Sequence, residues 1–78
     1  MQSLIRKELH MKISYKKLWI LLIEKGIKKS DLRELSGLSA GTITRLNKNQ
    51  TVSINALLQI CKCLKCDIGD ICSAIENE

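Results

Sequence analysis

Two short helical patterns with a glycine between them, Lys29 to Asn49 (KSDLRELSGLSAGTITRLNKN), constrain this chain more than any other part of it. Leu32 and Leu35 lie on the first pattern, Gly37-Leu38 breaks it, and Ile43 and Leu46 lie on the second. Ser39 stands where its hydroxyl can accept from the free N–H groups that open the second helix. Gly37 tolerates the positive φ that a sharp turn between helices requires. Helices joined by so short a turn must cross steeply. That crossing is the helix-turn-helix, which lays its second helix in the DNA major groove.

The rest of the chain supplies a frame for that pair. With 78 residues it is one domain at most. Phe is absent and only Tyr15 and Trp19 are aromatic, so the core must be built from Leu and Ile. There is no proline and no long alternation of strand type, which predicts an all-α bundle. A first helix is expected from Ser14 or Tyr15 to Lys25, with Tyr15, Leu18, Leu21 and Leu22 as its apolar stripe and Gly26 as its stop. The second should start after Ser30, capped by that hydroxyl, and end at Ser36; the third should run from Ala40 to about Asn47. After the loop NKNQT, Ser53 should cap a fourth helix with Ile54, Leu57, Leu58, Cys61 and Leu64 on the buried side. Asp67 should cap a last short helix carrying Ile68, Ile71, Cys72 and Ile75. The expected core is Leu18, Leu22, Leu32, Leu38, Ile43, Leu46, Ile54, Leu57, Leu58, Cys61, Leu64 and Ile71.

Residues 1–10 read as a flexible N-terminal extension, and residues 11–78 as the domain. No apolar run approaches the ~18 residues that span a bilayer, and MQSLIRKELH is too short and too charged for a secretory signal. The expected location is the cytoplasm, with no membrane partner.

Charge is divided unevenly. Residues 1–52 hold eleven Lys/Arg against four acids, net +7, and residues 53–78 hold two against four, net −2. A basic front suits a protein that meets a polyanion with one side.

The segments ISYKKLWILLIEKGIKKSDLRELSGLS, TITRL and LLQICKCLKCDIGDI together resemble the Cro and lambda-repressor type helix-turn-helix domain, in its small single-domain bacterial form. The resemblance runs from residue 13 to about 72. It implies a five-helix fold, transcription regulation (a repressor is the expected sense), operator DNA as ligand and no enzymatic activity. Two residues depart from the broader pattern: Arg33 replaces a usual Ala, and Ser36 a bulky apolar residue.

In that geometry the start of the third helix meets base edges. Its outward positions are Ser39, Ala40, Gly41, Thr44 and Arg45. Arg45 is the only long reader, and Arg on guanine is the commonest specific contact. Ala40 and Gly41 offer little hydrogen bonding but leave room for close approach. Lys28, Lys29, Thr42, Lys48 and Asn49 are the phosphate candidates, which set register and affinity. A single such helix spans too few base pairs for genomic selectivity, so a homodimer is expected, at least on DNA, pairing through the last helix.

Cys61, Cys63, Cys66 and Cys72 invite a metal reading. Cys61 and Cys63 point to opposite sides of one helix, so packing against the core is the better account. No metal or cofactor is expected. The alternative to DNA is a protein–protein module, such as an antitoxin or partner subunit, using the same fold. No nucleophile–base pair, acid pair or phosphate loop supports an enzyme.

Overall fold

The glycine turn forms as its residues dictate. Gly37 sits at φ +74° and its N–H donates to the Arg33 carbonyl at 3.0 Å. Ser36 explains its own presence at a position that a bulky residue usually takes. Its hydroxyl donates back to the Leu32 carbonyl at 2.6 Å and accepts from the Leu38 N–H at 3.4 Å, so it braces the turn. Arg33 points into solvent. The pair of helices joined here is α2 (Lys29–Ser36) and α3 (Ala40–Asn47).

The computed structural model describes residues 11–76. The expected flexible extension, residues 1–10, lies outside them. Before the pair comes α1 (Lys16–Lys25), closed by Gly26 at φ +69°; after it comes α4 (Ile54–Leu64). The serine caps form where expected: Ser39 Oγ accepts from the Thr42 N–H at 3.2 Å, and Ser53 Oγ from the Ala56 N–H at 3.1 Å. Ser30 does not cap α2. The helix starts one residue before it, and the Asp31 carboxylate reaches back to accept from the Lys28 N–H at 3.2 Å.

The all-α helix-turn-helix fold forms as expected, but the five-helix count is corrected at both ends of the domain. Met11–Ser14 is a strand, β1, pairing antiparallel with β2 (Ser73–Glu76). Met11 lies opposite Glu76 and Ser14 opposite Ser73. α1 therefore starts only at Lys16, whose N–H donates to Ser14 Oγ at 3.3 Å. In place of a last helix there is a 3₁₀ turn at Ile68–Asp70. Asp67 caps it through Ile68 N–H at 2.8 Å, and Asp70 accepts from Asp67 N–H at 2.9 Å. Ile71 is then fully buried and the chain leaves extended. The ladder with β1 satisfies backbone groups that a further helical turn would otherwise have had to satisfy.

The core is one cluster: Tyr15, Leu18 and Leu22 around α1, Leu32, Leu38 and Leu46 from the motif, Ala56, Leu57, Ile60 and Leu64 from α4, and Ile71. On α4 the buried face is rotated from the expected one. Ile54 and Leu58 are 62% and 50% exposed, whereas Ile60 is 0%. Cys61 and Ile43 only flank the core. Leu35 is exposed as well.

Candidate nucleic-acid interface

The outer face of α3 is set by what its inner face buries. Leu46 is fully buried and Ile43 packs on the core. That turns Ser39, Ala40, Gly41, Thr44 and Arg45 to solvent, so all five candidate base readers share one exposed face. They are not equally free. Ser39 Oγ is engaged by the Thr42 N–H and lies 3.1 Å from the Thr42 hydroxyl. Thr44 Oγ1 donates to the Ala40 carbonyl at 3.0 Å, leaving its methyl and remaining acceptor capacity outward. The Arg45 guanidinium is the one long cationic donor on this face. Gly41 leaves a gap: a Cβ there would meet only Ser39 Oγ, at 3.9 Å.

The exit of α3 is tied to the start of α1 by Tyr15, whose polar role the sequence does not reveal. The Tyr15 hydroxyl donates to the Gln50 carbonyl at 2.7 Å, and its N–H donates to Asn49 Oδ1 at 3.2 Å. Burial, and next the neighbouring Cys72, push the Tyr15 hydroxyl pKa above its ordinary value, so it stays a donor. Asn49 adopts φ +55°, which Asn tolerates better than most residues. With its side-chain oxygen used inward, Asn49 keeps its amide NH2 for an outside acceptor.

The phosphate candidates separate into two groups. Lys28 is exposed at the start of α2, and Lys48 at the end of α3, next to Asn49 in the chain. Thr42 is half-buried and its hydroxyl leans on Ser39. Lys29 is different: its ammonium donates to Asn47 Oδ1 at 2.9 Å and lies 4.1 Å from the centre of the Trp19 ring. The strand β1 adds Lys12, which lines an open groove together with Arg45, Asn49, Gln50 and Thr51. Lys12, with Lys16 and Lys17, is a candidate to extend the basic patch from sequence; the bonds from Tyr15 to Asn49 and Gln50 hold its segment beside the exit of α3.

The four cysteines are free and half-buried, and all pack against the core. Among the described residues no group of His, Cys, Asp or Glu is arranged to hold a metal ion. Cys66 is pushed up to about 11 by burial first, then by Cys61 and Asp70, against a smaller opposing effect of Lys25. Cys72 is also raised, chiefly by burial, and its thiol donates to the Ile68 carbonyl at 3.5 Å. Among the described residues no helix is long and apolar enough to cross a membrane.

The family model of the Cro/C1-type HTH DNA-binding domain matches residues 17–77. The chain belongs to this family. The Cro/C1-type match takes in α1 from its second residue, the whole of α2, α3 and α4, and the turn that joins α2 to α3. A solved relative, the crystal structure of transcriptional regulator VanUg, Form II, superposes with a TM-score of 0.84 at 49% identity, over 86% of this chain and 89% of that one. No curated protein matches. As a Cro/C1-type domain the chain is a mostly helical DNA-binding module of a transcriptional regulator.

Proposed function

We propose that this protein is a sequence-specific repressor that inserts α3 into the major groove of operator DNA. Arg45 carries the reading. It is the long donor on an outward helix face whose other members are small or internally bonded. In this reading Arg45 binds guanine, worth about 1–3 kcal/mol of discrimination. Thr44 presses its methyl on a thymine, and Ser39, Ala40 and Gly41 let the helix start approach the groove floor. Lys28, Thr42, Lys48 and Asn49 grip the flanking phosphates, which fixes register without reading sequence. The protein acts in the bacterial cytoplasm as a homodimer on a two-fold site, since one helix contacts only about 4–5 base pairs.

The test is selection of bound duplexes from a random library, followed by a reporter carrying the selected site upstream of a promoter. A two-fold motif that lowers transcription when the protein is supplied is the expected result. Failure to retain any duplex at low salt would favour a partner-binding module on the same fold.

A further inference from the structure

Lys29 opens α2, Trp19 lies in the middle of α1, and Asn47 closes α3. The Lys29 ammonium touches both others, 2.9 Å from Asn47 Oδ1 and 4.1 Å from the Trp19 ring centre. One cation therefore joins three helices at a single point. The ring face is the electronegative side of Trp and attracts an ammonium within about 6 Å. The amide oxygen of Asn47 takes one of its three donors. Trp19 is half-buried and packed on the core, so it is a fixed platform rather than a loose side chain.

The position of this joint gives it a consequence for reading DNA. Arg45 lies half a turn before Asn47 on the same helix. Leu46 anchors α3 in the core, and the bonds from Tyr15 hold the loop that follows it. The Lys29–Asn47 bond ties the last residue of α3 sideways to α2. A recognition constellation has to be held to within about 0.5 Å to discriminate between ligands. We infer that Lys29 is a positioning residue, which fixes the angle of α3 through Asn47 and Trp19, and is not a free phosphate contact. This rests on the reading of α3 as the helix that meets base edges.

The two roles of Lys29 separate in one set of measurements. The variants are Lys29→Met, which keeps the stem and removes the charge, Lys29→Arg, which keeps both the donor and the affinity for an aromatic face, and Asn47→Ala. Emission from Trp19, the chain's single tryptophan, is read in the free protein, with circular dichroism to confirm the fold. Affinity for a selected duplex and for a scrambled one is read across a salt series. Lys29→Met should shift the Trp19 emission and lower the selected-to-scrambled ratio, since the cation–π contact and the charged hydrogen bond that hold the angle of α3 are both lost. The salt slope should stay at its wild-type value, Asn47→Ala should lower the ratio similarly without adding to Lys29→Met, and Lys29→Arg should restore it. A ratio unchanged by Lys29→Met, with a salt slope lower by about 1, would make Lys29 a phosphate contact and overturn the inference. Unchanged Trp19 emission in Lys29→Met, or no rescue by arginine, would overturn it too. If the wild-type protein binds neither duplex, the DNA reading itself fails, and the positioning role falls with it even where the emission shift still reports the joint.

Discussion

At the scale of single residues, the outer face of α3 carries one long cationic side chain, Arg45, among small or internally bonded neighbours. Arg45→Ala should relax base preference at one position of each half-site, whereas Lys48→Ala should weaken binding to all duplexes alike and lower the salt slope by about 1. Repeating the duplex selection with each variant checks this, and an unchanged motif with Arg45→Ala would reduce Arg45 to a surface charge. Gly41 gives a second test, because the free protein has room for a Cβ there. Gly41→Ala should stabilise the free domain by about 0.4–1 kcal/mol through the unfolded chain. It should nevertheless weaken DNA binding if the backbone approaches the groove floor at this point. A thermal melt and a binding titration on the same variant separate the two effects, and unimpaired binding would mean that Gly41 has no role at the groove. Cys66 gives a pH test. The fold favours its neutral thiol, raising it from 9.0 to about 11, so its contribution to stability is full below the ordinary value and is lost as pH rises through about 11. Alkylation of Cys66 in the folded protein, followed by peptide mass, should therefore keep accelerating up to that pH; a plateau near 9 would contradict the burial.

At the scale of elements, α4 shows how a correct helix can carry a misplaced face. Its span and its Ser53 cap are legible because they depend on neighbours along the chain. Its rotation depends on partners elsewhere. The stripe Ile54, Leu58, Cys61 is as apolar as Ala56, Leu57, Ile60, and only packing against other elements, α2 and the Ile68–Asp70 turn foremost, selects the latter. Leu57→Ala and Ile60→Ala should each cost roughly 2–5 kcal/mol, since a cavity opens in a filled core. Ile54→Ala and Leu58→Ala should fall within about 0.5 kcal/mol of wild type, because their side chains lie half or more in solvent. Chemical denaturation of the four variants checks the assignment, and equal losses on both faces would refute it.

At the scale of the whole molecule, the expected pairing surface has changed character. The last helix that was to carry Ile68, Cys72 and Ile75 is a 3₁₀ turn followed by β2, with Ile68 and Cys72 half-buried and Ile75 on the strand. The case for pairing now rests on the operator. Two copies on one face of the duplex need half-site centres about one turn, roughly 34 Å, apart. Sedimentation mass under reducing conditions, with a selected duplex at saturation, should give two protein copies per duplex. One copy would sink the two-fold operator. Inserting half a helical turn between half-sites should abolish the second copy while leaving the first.

What the sequence determined by itself was local: the positive-φ glycine at Gly37, the serine caps at Ser39 and Ser53, the bounds of α3, and the exposure of Arg45 beside the buried Leu46. Each is decided by residues within about one helical turn, where sterics and capping act directly. Tertiary structure decided the rest. Four-residue strands at opposite ends of the domain carry too little pattern to announce themselves, and their pairing gains its hydrogen bonds only when the chain closes. Packing of the helices and loops buries Tyr15 with its hydroxyl on the Gln50 carbonyl, selects which face of α4 is inside, and brings Lys29 onto Trp19 and Asn47. Contacts between residues far apart in the chain depend on the packing of whole elements, and no local rule of spacing encodes them.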